Sequence, residues 1–181
     1  RIGILCRTEQ GYEILNGNQT GVILMDYVLS QKKKAGLTPD DYVISTVVST
    51  NMVKKMAEAY GIGFYQVYTG FKFIAGIIKD HEEQGLPGRY LFGFEESFGY
   101  LAGTYARDKD AVSAALLACE AAAYYKKQGK TLIDALDDLQ AKYGYFAEVT
   151  DSVYMEGLDG MERMKKLADA GIELHLQVVL C

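Results

Sequence analysis

Tyr90-Leu91-Phe92-Gly93-Phe94-Glu95-Glu96-Ser97-Phe98-Gly99-Tyr100, with its sequel Ala106-Arg107-Asp108-Lys109-Asp110, is the passage on which the reading of this chain turns. An apolar, aromatic run enters at Tyr90 and reads as a buried strand. Two carboxylates and a hydroxyl then stand side by side between Gly93 and Gly99. Glycines at both ends permit backbone geometries that other residues avoid, so the passage predicts a held loop rather than a helix start. Acceptor-only carboxylates beside a hydroxyl suit a ligand rich in OH donors, such as a sugar. The competing reading is a solvated turn.

Outward from this passage, strands and helices alternate. Tyr42–Val48 is β-branched and apolar, as an inner parallel strand should be. Ser49 or Thr50 is placed to cap a helix over Met52–Tyr60, and a second strand runs Phe64–Tyr68. Thr69-Gly70 opens a helix from Phe71 to about Glu83, and Gly85-Leu86-Pro87-Gly88 turns the chain into Tyr90. Upstream, Arg1–Cys6 and Tyr12–Leu15 read as two short paired strands. Val22, Ile23, Met25, Val28 and Leu29 fall at helical spacing within Gln19–Lys34, whose closing lysines suit a helix C-terminus ahead of Gly36. Downstream come helices over Ala111–Lys127 and Thr131–Tyr143, the first offering Ala114, Ala115, Ala118 and Ala121 for close packing on the sheet. Beyond Gly144 the expectation is a strand over Phe146–Met155 and a charged helix over Gly160–Ala170. The rhythm predicts an α/β fold, a mainly parallel sheet flanked by helices in βαβ units.

Ligands of open parallel sheets bind beyond the carboxyl ends of the strands. Here those ends carry Ser49-Thr50-Asn51, Thr69-Gly70-Phe71-Lys72 and Glu95-Glu96-Ser97, so three distant segments should meet on one edge. Lys72 falls in a first helical turn, where the helix dipole disfavours a purely structural cation. With the N–H groups of Gly70 and Phe71 it would form an anion site. The alternative is a surface lysine. Arg107, Asp108, Lys109 and Asp110 form a charge cluster in which Asp108 or Asp110 is placed to cap the next helix. Adjacent glutamates make a poor glycosidase pair, and without His or further Asp they are a weak metal signal. His81, among Lys79, Asp80 and Glu82, reads as exposed, and His175 is equally isolated.

A net charge of −5 over 181 residues argues against a nucleic-acid partner, which would need a basic face. Cys6, Cys119 and Cys181 show neither metal nor disulfide spacing, which fits a reducing, cytoplasmic setting. No apolar run is long enough to cross a bilayer as a helix, so no membrane role is expected.

Gly93-Phe94-Glu95-Glu96-Ser97-Phe98-Gly99 resembles the sugar-binding loop of the α-D-phosphohexomutases, the phosphoglucomutase and phosphomannomutase family. Gly17-Asn18-Gln19-Thr20-Gly21, Thr69-Gly70-Phe71-Lys72 and Arg107-Asp108-Lys109-Asp110-Ala111 match further blocks in the family's order. The resemblance implies the third, sugar-recognising domain over 17–145. It implies a remnant of a preceding metal-loop domain over 1–16, and over 146–181 the start of a linker to a fourth domain with an atypical tail from Gly171. It implies that Glu95 and Ser97 contact sugar hydroxyls, with Glu96, Thr69 and Gly70 beside them and Arg107 and Lys109 lying near the cleft. It gives Lys72 a catalytic part in orienting phosphate or moving a proton. Asn18, Gln19 and Thr20 are expected to pack and cap. The implied substrate is a hexose phosphate, glucose before mannose, and the implied partners are the remaining domains of the parent chain. The parent's Mg²⁺ would sit on three alternating aspartates ahead of Arg1, so no metal ligand is expected in this chain, and alone it is expected not to turn over. The rival is a noncatalytic α/β phosphate- or nucleotide-binding module. No Gly-x-Gly-x-x-Gly or Walker-type loop follows a strand to support it.

Overall fold

The structure, a computed structural model, describes residues 1–148, 159–163 and 166. The chain clusters into two units, Arg1–Tyr145 and Phe146–Cys181, and both sheets belong to the first. In the second, 146–148 have no regular structure, while 159–163 and 166 are helical. The rest of the strand expected to Met155, most of the helix expected to Ala170, and the tail from Gly171 lie outside the described residues.

The first unit opens with an antiparallel hairpin, β1 (Ile4–Thr8) and β2 (Gly11–Leu15). Helix α1 (Gly17–Lys34) follows, started two residues earlier than its apolar periodicity shows. The reason is a capping box: Asn16 Oδ1 accepts the Gln19 N–H at 2.9 Å, and Gln19 Oε1 accepts the Asn16 N–H at 2.8 Å. Then come β3 (Tyr42–Thr46), α2 (Met52–Tyr60), β4 (Gly63–Val67), α3 (Phe71–Gln84), β5 (Tyr90–Glu95), β6 (Gly99–Leu101), α4 (Ala111–Lys126) and α5 (Leu132–Tyr143).

The second sheet has the order β4-β3-β5-β6. β3 runs parallel to both β4 and β5, and β6 returns antiparallel along β5. Because β3 leads outward to β4 and β4 leads back past β3 to β5, crossovers of one hand must put α2 and α3 on opposite faces. The packing agrees. Ile74 and Ile78 of α3 bury against Tyr42, Ile44 and Tyr90 on one face. On the other, Gly21 of α1 approaches the Phe94 ring so closely that a Cβ there would lie 2.4 Å from it, and α2 packs on α1.

Where the strands begin, an ion pair between a buried carboxylate and a half-exposed guanidinium fixes β3 to β5. Asp41 has no exposed surface. Its Oδ1 accepts the N–H and Nε–H of Arg89, both at 2.9 Å, and its Oδ2 accepts the Thr38 N–H at 2.9 Å and Arg89 Nη2 at 2.7 Å. The Arg89 guanidinium holds this carboxyl well below the usual carboxylate range.

The passage after Glu95 is the held loop expected, the turn of a hairpin in which Glu95 pairs with Gly99. Two expectations need correction. Of the alanines expected to pack, Ala114 and Ala121 are buried, together with Tyr125, but Ala115 of α4 is exposed, since residues seven and four apart share the buried face. His81 is half-buried: its ring stacks on Tyr42 with centroids 4.2 Å apart, and its Nε2 lies 3.0 Å from the Tyr65 hydroxyl.

Candidate functional site

The carboxyl ends of β3, β4 and β5 share one edge because the three strands are parallel. Side chains at the end of β5 and in the turn after it reach the loops after β3 and β4. Glu95, the last residue of β5, is 3% exposed, and its Oε1 accepts the Gly70 N–H at 2.8 Å. Glu96, the next residue, points the other way, as alternation along an extended chain requires. Its Oε2 accepts from Thr46 Oγ1 at 3.2 Å and Ser49 Oγ at 3.3 Å, while those two hydroxyls lie 2.9 Å apart. The two glutamates thus link the β5 turn to the loop after β4 and the loop after β3 respectively.

Backbone geometry at the turn is equally specified. Phe98 sits at φ 66°, the one non-glycine residue with positive φ among the described residues. A bulky residue there is held against a cost of about 1–3 kcal/mol. The chain start supplies part of the hold: Arg1 Nη1 donates to the Ser97 carbonyl at 2.5 Å, and the Ile2 N–H donates to the Phe98 carbonyl at 3.3 Å. From below, Gly17 lies against the turn so tightly that a Cβ there would fall 1.7 Å from the Glu96 carbonyl oxygen. Asn18, one residue on, accepts the buried Thr50 N–H at 3.0 Å and fixes the loop after β3. The 17–21 block therefore packs and caps, as expected of it. These supports lie far apart in sequence, which is why sequence reasoning missed Thr46 and the grip of Arg1.

Gly70 caps α3 at φ 123°, ψ 122°, backbone that a side chain would strain. Its N–H is committed to Glu95, so the anion site expected from the Gly70 and Phe71 N–H groups has one donor fewer. Thr69 is exposed and Gly70 half-buried. Lys72, in the first turn of α3, is exposed, with its ammonium 4.9 Å from the Phe73 ring centroid. Among the described residues it makes no ion pair.

Lys109 joins this group and Arg107 does not. The Lys109 ammonium lies 2.9 Å from Asp108 Oδ1 and 5.2 Å from the centre of the Phe71 ring. A Cβ on Gly99 would fall 2.9 Å from Lys109 Cδ and 3.2 Å from Glu95 Oε2, which places the lysine stem and the glutamate on the same glycine. Arg107 instead pairs with Glu82 in the last turn of α3, ten residues, or about 15 Å of helix, beyond Lys72. Asp110 caps α4 by accepting the Val112 N–H at 2.9 Å. Lys109 lowers the Asp108 carboxyl through their hydrogen bonds, and the Tyr105 hydroxyl does the same for Asp110. The half-buried Ser97 stands at the turn apex between the two glutamates and Phe98.

No cluster of three or more His, Cys, Asp or Glu side chains able to hold a metal occurs among the described residues. No helix among them is long and apolar enough to cross a membrane. The edge is thus a hydrogen-bonding surface of carboxylates and hydroxyls flanked by two ammonium groups, suited to a polyhydroxylated anion.

The family model described as phosphoglucomutase/phosphomannomutase, alpha/beta/alpha domain III, matches residues 16–143. A phosphoglucomutase of Staphylococcus epidermidis is 34% identical over 168 residues, covering 92% of this chain and 30% of its own length. A phosphoglucomutase of Staphylococcus aureus is 33% identical over 171 residues, covering 92% and 29%. The chain therefore spans about a third of the length of the curated relatives it matches. Among solved structures, the exocytosis-sensitive phosphoprotein pp63/parafusin, a phosphoglucomutase from Paramecium in its open form, is similar over 78% of this chain and 23% of its own. The TM-score is 0.57 at 18% identity, a likeness of fold.

Proposed function

The chain belongs to the phosphoglucomutase/phosphomannomutase family, matching its third domain, and from that premise we propose that it is the sugar-phosphate recognition domain of a phosphohexomutase. The parent enzyme would interconvert hexose 1-phosphate and hexose 6-phosphate. A phosphoserine elsewhere in the parent gives its phosphoryl group to the free hydroxyl of the sugar phosphate, whose proton leaves. The resulting bisphosphate turns over, and its other phosphoryl group returns to the serine. Where that chemistry uses Mg²⁺, the ion's ligands would come from other domains of the parent.

What this chain contributes is recognition. The observation that carries the reading is the junction of three strand ends, with Glu95 2.8 Å from Gly70 N and Glu96 3.3 Å from Ser49 Oγ, beside a lysine in the first turn of α3. Glu95 spends one oxygen on Gly70 and keeps Oε2 toward Gly99 as an acceptor for a sugar hydroxyl. Ser97 offers a donor and an acceptor at the apex. Lys72 holds the phosphate with its ammonium or, in its neutral form, takes the reacting hydroxyl's proton, and Lys109 adds a second ammonium. Glu96 holds the turn in place through Thr46 and Ser49. Glucose is the preferred epimer over mannose, the setting is cytoplasmic, and the partners are the other domains of the parent chain.

Substitution tests this. Ser97→Ala should weaken glucose 1-phosphate binding about fivefold, the worth of one neutral hydrogen bond. Lys72→Ala should weaken it more than about tenfold, because a charge-assisted bond is lost. Equal affinity in native and both variants would remove these residues from recognition, and binding of nucleotides in preference to sugar phosphates would favour the noncatalytic module.

A further inference from the structure

Three lysines converge at the other end of the sheet. α1 delivers the chain to the start of β3 and α2 delivers it to the start of β4, so their C-termini lie at the edge where the parallel strands begin. The Glu95–Gly70 junction is at the opposite edge. Between these helix ends and the last turn of α5 is a cleft of about 560 Å³ lined by Ser30, Lys33, Lys34, Ala59, Tyr60 and Lys142. That volume falls within the range of small-molecule sites, roughly 300–1,000 Å³.

The charge in this cleft is one-sided. Lys33 and Lys142 place their ammonium groups 5.7 and 5.6 Å from the centre of the same ring, Tyr60, and Lys34 lies 5.2 Å from that of Tyr124. None of the three makes an ion pair among the described residues, although Lys34 Nζ donates to Gln31 Oε1 at 2.9 Å and Lys142 Nζ also lies 4.6 Å from the centre of the Tyr143 ring. The nearby carboxylate, Asp26, accepts the hydroxyls of Tyr60 at 3.0 Å and Tyr125 at 3.1 Å and keeps its negative charge, which offsets part of the positive charge of the three lysines. Helix dipoles account for lysines in a last turn, yet the lysine of α5 is brought to the same ring as that of α1. A cation resting on an aromatic face keeps its outward side available to an anion. In a chain of net charge −5, such a concentration of positive charge in a concavity is a recognition feature rather than a general surface property.

We propose that this cleft binds a small polyanion carrying two or more phosphate groups, at a site separate from the sugar-recognition edge. Three ammonium groups exceed what one monoanion requires and match a ligand with charges at both ends.

The test is a titration of the 181-residue chain with inorganic pyrophosphate, followed by amide shifts at constant ionic strength and compared with inorganic phosphate. Saturable shifts at 30–34, 59–60 and 142 are expected, with pyrophosphate at least about tenfold tighter than phosphate. Lys33→Gln with Lys142→Gln should weaken pyrophosphate at least about tenfold, while any shifts at 69–72 and 95–97 persist. Shifts that are linear in concentration, that are unchanged in the double variant, or that appear only at 69–72 would overturn the proposal. Because the readout sits at the other end of the sheet, its failure leaves the sugar-phosphate reading intact, and the converse holds too.

Discussion

Replacing Asp41 by asparagine removes one negative charge and changes one oxygen into an NH₂ group. In the native protein each carboxylate oxygen accepts two N–H donors, Oδ1 from Arg89 N and Nε, Oδ2 from Thr38 N and Arg89 Nη2. The amide can satisfy one pair only, and its NH₂ must face the other pair, donor to donor. Two charge-assisted bonds are lost at a site with no exposed surface, each worth about 1.5–3 kcal/mol. Arg89 is half exposed and can turn to water, which caps the loss. The expected destabilisation is about 3 kcal/mol at pH 7, or a fall of about 1–2 M in the urea midpoint. The pH dependence follows from the depressed native carboxyl. A group whose native pKa lies below its unfolded value stabilises fully above the latter, about 3.9, and loses this contribution as pH falls toward the native value. The gap between native and Asp41→Asn should therefore hold from about pH 7 to 5 and narrow below about pH 4. A difference under about 1 kcal/mol at pH 7, or one constant down to about pH 2, would refute the assignment of this pair as the tie between β3 and β5.

Gly17→Ala should displace the β5–β6 turn, because its Cβ would fall 1.7 Å from the Glu96 carbonyl oxygen; a loss of about 1–3 kcal/mol in melts is expected, together with weaker sugar-phosphate binding. Asn18→Ala leaves the buried Thr50 N–H without its acceptor and should cost about 1–3 kcal/mol in denaturant unfolding. Tyr60→Phe and Tyr125→Phe each remove one donor from Asp26. Either alone should cost about 1 kcal/mol, and in a double-mutant cycle the pair should cost more than their sum.

How much of this was legible in the sequence follows from the range of the forces involved. α2 and α3 were read to within a residue or so, since apolar spacing and the glycines at 61 and 85 are local signals. The convergence of Glu95, Gly70 and Ser49 on one edge was also legible, because parallel strands require it. β6 was not: three residues are too few to show an alternating pattern, and only pairing with β5 defines them. The division of labour between Glu95 and Glu96 was half legible. Alternation along the chain accounts for their opposite directions, but the burial of Glu95 against Gly70 depends on a loop 25 residues away in sequence. His81 looked exposed among charged neighbours, and it is Tyr42 and Tyr65 from other elements that enclose it. Arg107 looked like a cleft residue until the last turn of α3 supplied Glu82.

Recognition of a sugar phosphate at the β3–β4–β5 edge is tested most directly by the amide shift map of this chain titrated with glucose 1-phosphate, with mannose 1-phosphate and inorganic phosphate in parallel. Saturable shifts are predicted at 69–72 and 95–99 with glucose 1-phosphate, and weaker ones with mannose 1-phosphate. Phosphate-induced shifts at that edge should be confined to the vicinity of Lys72. Identical maps for glucose 1-phosphate and phosphate, with 95–99 unmoved by either, would contradict such recognition.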